Sequence, residues 1–273
     1  MKVQQLVEKT TGQFNSVGIP SARLDAELLL AHVVGKGREW VLAHGQDELT
    51  EAQTALFEQY VSRRLEREPV CYITNCLEFY GLNFYVDPRV LAPRVETELI
   101  AEQAIKHAPK DSTLIDIGTG SGAIAVTVAK HRPDLKITAT EVSHDALQVA
   151  RKNAAQILGA EHMLEFMHAD VFDGMEREFD VVVTNLPYVS NDYHDRMKPE
   201  VQKEPGIALF GGPGDGLDLY RRFYEQLPKH IKPGSKVFHE SDPWQHEELK
   251  KLAAQAGLKT ILEDYLILGF EKS

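Results

Sequence analysis

A glycine-rich segment in the middle of the chain has the spacing of a ligand-binding loop. It follows a short apolar run and precedes an alanine-rich stretch, and it comprises Asp116, Gly118, Thr119, Gly120, Ser121 and Gly122. Glycine permits the positive φ angles of a tight turn and lets peptide N–H groups approach a ligand closely. The segment therefore predicts either a cofactor-binding loop between a strand and a helix, or a tight turn without a ligand.

Two known templates fit this loop. One is the G-x-G-x-x-G/A fingerprint of dinucleotide-binding proteins, and the other is the D-x-G-x-G-x-G loop of S-adenosylmethionine methyltransferases. Glu141 ends the next predicted strand, about 20 positions further on, where an acidic side chain can accept hydrogen bonds from ribose hydroxyls in either case. The loop and Glu141 indicate a nucleoside-containing cofactor, and they leave its chemical class open.

A second polar motif ends the fourth predicted strand. The run Val181-Val-Val-Thr is followed by Asn185, Leu186, Pro187 and Tyr188. Open α/β sheets bind ligands at the carboxyl ends of their strands, and Pro187 favours extended geometry at the residue before it. The side-chain oxygen of Asn185 and a neighbouring carbonyl could then accept hydrogen bonds from one NH₂ group, with Tyr188 as an apolar wall. Enzymes that methylate planar amide or amino nitrogens need such a clamp, whereas nicotinamide dehydrogenases do not. An Asn-Pro turn at a strand end is the simpler alternative.

The charge balance disfavours nucleic acid as a partner. The net charge is −11, and neither part of the chain is basic. Residues 1–75 hold 8 basic and 10 acidic side chains, and the remainder holds 22 and 31. Proteins that bind duplex nucleic acid usually carry a footprint of Lys and Arg. We therefore expect a protein or a small molecule as substrate and no direct nucleic-acid binding.

Composition places the chain among globular proteins. Hydrophobic residues make up 43% and charged residues 26%, which excludes a disordered chain and a small disulfide scaffold. No apolar run approaches the ~18 residues of a spanning helix, and the first residues lack a signal-peptide core, so we expect a cytoplasmic protein. The two cysteines, Cys71 and Cys76, do not have the spacing of a zinc or thioredoxin motif, and we expect two inert thiols. The histidines form no metal-binding motif, so no metal is expected.

The first 75 residues are predicted to form a small helical bundle. One helix begins after Ser21 and ends at Gly35, with apolar residues at helical spacing between them. Another begins after Thr50, and Pro69 ends it. Residues 76–92 contain two aromatic-rich runs around Gly81, which predict a β-hairpin linker.

Residues 93–273 alternate between strand and helix patterns. Strands are predicted at Thr113–Ile117, Lys136–Glu141, Glu165–Asp170 and Asp180–Thr184, and helices after Gly120, at His144–Leu158 and at Asp218–Leu227. Such alternation implies right-handed crossovers and a mostly parallel sheet. The last residues, LKTILEDYLILGFEKS, contain two apolar runs with a very short spacer, which allows only antiparallel pairing. The expected fold class is α/β, a Rossmann-like sheet with an antiparallel C-terminal hairpin.

Taken together, these motifs resemble the HemK/PrmC family of protein-(glutamine-N(5)) methyltransferases. The resemblance covers nearly the whole chain and is carried by ARLDAELLLAHVVGKGR and RRLEREPVCYIT, by EFYGLNFYVDPRVLAPRVETE, and by DIGTGSGAIA, HADVF, TNLPYVS and EVQKEPGIALFGGPGDGLDLYRR. It implies an S-adenosylmethionine-dependent enzyme that methylates the glutamine of the Gly-Gly-Gln motif in peptide chain release factors. Residues 1–75 would then dock the protein substrate, residues 93–273 would be the methyltransferase domain, and a monomer is expected.

The resemblance also implies a role for each motif. The loop from Asp116 to Gly122 would bind S-adenosylmethionine, and Glu141 would hold its ribose. Asp170 and Val171, which follow the third strand, would contact the adenine. Residues 185–188 would hold the glutamine amide, and Asn185 would also lie against the cofactor.

The chain departs from the family pattern at four positions. Leu186 replaces the first proline of Asn-Pro-Pro-Tyr, Glu141 stands where Asp is usual, Val95 replaces a proline, and Asn75 replaces a glycine. Leucine keeps the carbonyl that the clamp uses, so we expect activity to survive. Asn-Leu-Pro-Tyr also resembles the motif of adenine-N6 ribosomal RNA dimethylases, which leaves RNA as an alternative substrate.

Other interpretations stay open at this point. The glutamine could belong to a ribosomal protein, and the chain could be a cofactor-binding scaffold without activity. The glycine cluster GGPGDG (211–216) could be a substrate-edge loop or a flexible turn. Glu96 and Glu98 could face the cofactor cleft or begin a solvated helix.

Overall fold

The computed structural model describes all of residues 1–273. Its N-terminal residues form five helices, in agreement with the predicted small helical bundle. These helices are α1 (Val3–Ser16), α2 (Ala22–Val34), α3 (Arg38–Ala43), α4 (Glu51–Leu65) and α5 (Val70–Thr74). The chain divides into two compact units, of which the first contains Met1–Cys76 and Lys198–Lys203, and the second contains Leu77–Met197 and Glu204–Ser273. The core of the first unit comes from apolar faces of these helices, with Leu6, Phe14, Leu29 and Phe57 almost fully buried.

The helix ends follow local capping chemistry with one correction. The hydroxyl of Thr50 accepts a hydrogen bond from the backbone N–H of Gln53 at 3.2 Å, so Thr50 caps α4 as predicted. Gly35 follows α2 with φ of 65°, a left-handed conformation that favours glycine. Helix α4 ends at Leu65, however, and Pro69 lies at the start of α5 instead of ending α4.

The predicted hairpin is present but short. Strands β1 (Leu77–Phe79) and β2 (Leu82–Phe84) pair in antiparallel register through a turn at Tyr80 and Gly81. The remaining residues up to 92 contain no strand. Helix α6 (Glu98–His107) follows, and Glu98 accepts a hydrogen bond from the backbone N–H of Tyr80 at 2.7 Å. This carboxylate therefore fastens the hairpin turn.

The second unit is built on a seven-stranded sheet. Its strands are β3 (Thr113–Ile117), β4 (Lys136–Glu141), β5 (Glu165–His168), β6 (Phe179–Thr184), β9 (Ile231–Glu240), β10 (Leu258–Asp264) and β11 (Ile267–Lys272), and a separate short pair is formed by β7 (Val189–Ser190) and β8 (Phe210–Gly212). The sheet order is β10-β11-β9-β6-β3-β4-β5. The consecutive strands β9, β6, β3, β4 and β5 are parallel, whereas β11 is antiparallel to both of its neighbours, β10 and β9. The helices are α7 (Ala123–His131), α8 (His144–Leu158), α9 (Asp218–Gln226) and α10 (His246–Gln255).

This architecture confirms the predicted fold class. β3, β4 and α8 begin and end where the sequence predicted, and the C-terminal hairpin is antiparallel. Sequence reasoning missed β9 and α10, and it extended β5 two residues too far. Two clusters of buried apolar side chains cover the two faces of the sheet.

The parallel register brings polar residues to one edge of the sheet. Ile117 at the end of β3 lies opposite Thr184 of β6 and next to Thr140 of β4. The loops that follow these strands therefore leave the sheet side by side, and β9 ends at Glu240, next to the end of β6. This edge is where an open parallel sheet binds its ligand.

No helix is both long enough and apolar enough to cross a bilayer. Cys71 and Cys76 form no disulfide. The structure contains no group of three or more His, Cys, Asp or Glu residues arranged to hold a metal ion.

Candidate active site

A cavity of about 310 Å³ lies at the carboxyl edge of the parallel strands. Ten of the thirteen predicted site residues line it, namely Gly118, Thr119, Gly120, Ser121, Glu141, Asp170, Val171, Asn185, Leu186 and Pro187. The other three, Asp116, Gly122 and Tyr188, lie outside the lining. The glycine loop and the Asn185 motif, 67 positions apart at the strand ends, therefore share one cavity.

The glycine loop touches the Asn185 motif directly. Gly118 has φ of 70°, and a Cβ at this position would lie 3.3 Å from Cδ2 of Leu186. The backbone N–H of Thr119 donates to the carbonyl of Thr140 at 2.9 Å, which fixes the loop to the end of β4. A side chain at position 118 would be strained and crowded, so glycine is needed here to keep the cavity open.

Asp116 supports the loop from beneath. Its Oδ2 accepts hydrogen bonds from the Thr119 hydroxyl at 2.6 Å and from the backbone N–H of Ala125 at 3.2 Å. Its Oδ1 is buried and has no hydrogen-bond partner. Burial raises the pKa of the Asp116 carboxyl to about 7, with a smaller contribution from the charge of Glu141, against the two hydrogen bonds that lower it.

Glu141 joins the two loops on either side of the cavity. Its Oε2 accepts from the backbone N–H of Gly120 at 2.9 Å, and its Oε1 accepts from that of Ser143 at 2.9 Å. Each carboxylate oxygen has a second lone pair, so the side chain keeps acceptor capacity toward the cavity. The structure thus shows that Glu141 holds these two loops together, a role additional to the predicted contact with the ribose.

Asp170 and Val171 form the third part of the rim. Asp170 is paired with the Arg222 guanidinium at 2.6 Å, and both residues line the cavity. Val171 is buried with φ of 55°, an uncommon conformation for a β-branched residue. Such strained positions cluster at ligand sites. This turn also explains why β5 ends before Asp170.

Asn185 is held in one orientation at the end of β6. Its Nδ2 donates to the hydroxyl of Thr97 at 3.1 Å, and Thr97 in turn donates to Oε2 of Glu240 at 2.6 Å. Tyr188 donates from its hydroxyl to the other oxygen of Glu240 at 2.8 Å. We expected Tyr188 to form an apolar wall of the cavity. It lies behind the lining instead, because its hydroxyl reaches Glu240.

Four residues that sequence reasoning missed hold the Asn185 motif. Besides Thr97 and Glu240, the buried hydroxyl of Tyr220 donates to the backbone carbonyl of Glu240 at 2.5 Å. The Nε2 of Gln245 donates to the carbonyls of Tyr188 and Asp215 at 2.8 and 2.7 Å. Burial raises the pKa of the Glu240 carboxyl, with a smaller contribution from the charge of Glu96, while hydrogen bonding to Thr97, Tyr188 and Asn185 lowers it. Thr97 lies in the segment APRVETE and Tyr220 in GLDLYRR, both of which carry the family resemblance. The resemblance could therefore have pointed to these two residues.

The GGPGDG cluster is packed against this motif. A Cβ on Gly211 would lie 1.9 Å from the carbonyl oxygen of Gly216 and 2.3 Å from that of Pro187. A Cβ on Gly216 would lie 2.3 Å from the carbonyl oxygen of Tyr188. These glycines therefore allow close backbone contact, and the cluster is a packed support rather than a free turn.

A sheet of this order with a glycine loop and an Asn-x-Pro-Tyr motif at its carboxyl edge defines a methyltransferase fold, and comparisons with known proteins agree. Residues 5–74 match the PrmC N-terminal domain and residues 95–201 match the methyltransferase small domain. A ribosomal protein L11 methylase from Lactobacillus delbrueckii subsp. bulgaricus has a similar fold, with a TM-score of 0.51 and 19% identity over 69% of this chain and 84% of that one.

Curated relatives give the family. The release factor glutamine methyltransferase of Koribacter versatilis is 38% identical, over 86% of this chain and 84% of its own length. That of Geobacter sulfurreducens is 35% identical, over 93% of this chain and 89% of its own length. The chain belongs to the release factor glutamine methyltransferase family.

Proposed function

We propose that this protein transfers a methyl group from S-adenosylmethionine to the side-chain amide nitrogen of the glutamine in the Gly-Gly-Gln motif of peptide chain release factors. Family membership supports the reaction and the substrate class. The observation that carries the proposal is Asn185, whose Nδ2 is held by Thr97 so that its Oδ1 is left to accept a hydrogen bond at the cavity.

The residues around the cavity suit this methyl donor. The glycine loop leaves room for a ligand against its backbone, since a Cβ at Gly120 would meet no atom within 4 Å. Glu141 and Asp170 place carboxylates where hydroxyl and amino groups of a nucleoside can donate hydrogen bonds. When bound, the donor supplies an electrophilic methyl group on a positively charged sulfur. We propose that Glu141 holds its ribose and that Asp170 and Val171 contact its adenine.

The chain's own contribution is alignment and electrostatics. An amide nitrogen is a poor nucleophile because its lone pair is delocalised, and positive charge develops on its NH₂ group as it attacks. The Oδ1 of Asn185 and the carbonyl of Leu186 would accept hydrogen bonds from that group and stabilise the charge, as an oxyanion hole does for the opposite sign. Holding the nitrogen in line with the methyl group can contribute ~7–11 kcal/mol. No side-chain base is needed before methyl transfer.

The helical unit, Met1–Cys76 with Lys198–Lys203, is proposed to dock the protein substrate. We also propose that the protein works as a monomer. The net charge of −11 supports a protein substrate over RNA.

A labelled-donor assay tests the proposal. Purified protein is offered a release factor, the same factor with its Gly-Gly-Gln glutamine changed to alanine, a ribosomal protein, and RNA. We expect label only in the unmodified release factor, and Asn185→Ala should lower kcat at least ~100-fold. Label appearing only in RNA or only in the ribosomal protein would overturn the substrate assignment. Near-normal turnover by Asn185→Ala would overturn the clamp.

A further inference from the structure

Thr97 has a hydroxyl that its own helix does not use. It is the residue at the N-terminal cap of α6, where a threonine hydroxyl normally accepts from a backbone N–H of the first turn. Here its φ and ψ are −66° and −19°, and its side chain makes no capping hydrogen bond. The hydroxyl is buried and lies between Asn185 and Glu240.

The direction of these hydrogen bonds determines which way the Asn185 amide faces. A hydroxyl carries one proton, and Thr97 donates it to Oε2 of Glu240. The oxygen of Thr97 can then only accept, so it must face the NH₂ end of the Asn185 amide. If that amide turned over, its oxygen would face the acceptor lone pairs of Thr97. The Oδ1 of Asn185 is therefore kept away from Thr97.

Glu240 enforces this direction because both of its oxygens are acceptors. One takes the proton of Thr97 and the other takes that of Tyr188. Its side chain is 2% exposed, and Tyr220 fixes its backbone carbonyl. Burying a carboxylate is costly unless it is fully hydrogen-bonded. An apolar residue could fill the same space, so this carboxylate has a more specific role than packing.

We propose that Thr97 and Glu240 are positioning residues that orient the side-chain amide of Asn185, with its oxygen available to accept a hydrogen bond from the substrate NH₂ group. The inference rests on the proposed role of Asn185 in holding a glutamine amide. It adds a pair of residues, Thr97 at the cap of α6 and Glu240 at the end of β9, that act through Asn185, and of the two only Thr97 lines the cavity.

Thr97→Val is the central variant, because valine keeps the shape and removes the hydroxyl. Thr97→Ser restores the hydroxyl and should rescue the wild-type behaviour. Thr127→Val is the matched control, since Thr127 is a buried threonine of α7 whose hydroxyl has no hydrogen-bond partner. Glu240→Met is a second variant, which leaves the Thr97 hydroxyl free either to donate to the Asn185 oxygen or to accept from the Asn185 NH₂ group.

The first readout does not depend on activity. In ¹H–¹⁵N spectra the side-chain NH₂ signals of Asn185, assigned by their loss in Asn185→Asp, should show slow hydrogen exchange in the wild type and in Thr97→Ser. They should exchange quickly in Thr97→Val and Glu240→Met. Unchanged Asn185 signals in Thr97→Val would overturn the inference.

The second readout is turnover on the release factor. Thr97→Val should lower kcat about 10- to 100-fold, because a small misplacement of a positioning group has effects of that size. Its affinity for S-adenosylmethionine should stay unchanged, and Thr127→Val should match the wild type in both. Wild-type kcat in Thr97→Val, or equal loss in Thr97→Ser, would overturn the inference.

Asn185→Ala separates this inference from the proposed function. In that background Thr97→Val should cause no further loss, because the group that it orients is absent. An equal further loss would show that Thr97 acts elsewhere. If Asn185→Ala itself turns over normally, the clamp is wrong. If only Asn185→Ala is impaired and Thr97→Val is not, the clamp stands and the positioning role fails.

Discussion

Asp116 is predicted to make the stability of the protein depend on pH in a direction opposite to that of most carboxylates. It is fully buried, one of its oxygens has no partner, and burial raises its pKa from the ordinary 3.8 to about 7. The native protein therefore keeps a proton that the unfolded chain loses. Because the native state binds more protons between these values, the free energy of unfolding falls as the pH rises through them.

The size of the effect follows from the same two values. A pKa of 3.8 in the unfolded chain and about 7 in the native protein lowers the free energy of unfolding by about 2–3 kcal/mol between about pH 5 and about pH 8. Asp116→Asn removes the ionisation and resembles the protonated acid in shape. Its oxygen can still accept from Thr119 and Ala125, and its NH₂ group takes the place of the unpartnered oxygen.

Urea unfolding of both proteins at several pH values and constant ionic strength measures this effect. The difference in unfolding free energy should shift in favour of Asp116→Asn by about 2–3 kcal/mol across that range. Other groups titrate equally in both proteins and cancel in the comparison. If the two free energies of unfolding instead change with pH in parallel, Asp116 is already ionised in the native protein over this range. Its hydrogen bonds would then outweigh its burial in setting its pKa.

Three further predictions concern single side chains. Gly118→Ala should weaken S-adenosylmethionine binding at least ~10-fold by calorimetry, because the left-handed conformation costs about 1–2 kcal/mol and the new Cβ crowds the loop; unchanged affinity would refute the crowding. Arg64→Met should lower the free energy of unfolding by about 3–5 kcal/mol in thermal and urea unfolding, since it leaves the buried Asp25 without its ion pair. Arg63→Met, at a partly exposed ion pair, should cost less than about 1 kcal/mol, and equal losses would contradict the argument. Glu141→Ala should weaken donor binding and also lower the thermal stability, because the backbone N–H groups of Gly120 and Ser143 lose their acceptor, and wild-type affinity would exclude Glu141 from the site.

Local patterns predicted the strands and loops that surround the cavity. The segments Thr113–Ile117 and Lys136–Glu141 alternate with helices in a simple order; the first is followed by Gly118, and the second ends in the acidic residue Glu141. In a parallel sheet the residues that follow each strand must lie at the same edge. That rule brought Gly118, Glu141 and Asn185 to one cavity without any knowledge of long-range contacts.

The residues that orient Asn185 were not predictable in this way, because they meet it only through the tertiary fold. Thr97 is 88 positions from Asn185, and Glu240 is 143 positions from Thr97. Strand β9 was missed because its first residues, Ile231-Lys-Pro-Gly, have the composition of a turn. Without β9 next to β6, no argument from local pattern could place Glu240 beside Tyr188.

The proposed clamp is expected to tolerate leucine at position 186, where the family pattern has proline. The proposed second acceptor is a main-chain carbonyl, which every residue type supplies, so a change of side chain leaves it in place. The Leu186 side chain is buried and lies against Gly118, where it leaves little room for a side chain at position 118. Asn185 has no such freedom, because its acceptor is a side-chain atom whose orientation depends on Thr97. The two halves of the clamp therefore differ in kind, and we expect variation to be tolerated at Leu186 and not at Asn185 or Thr97.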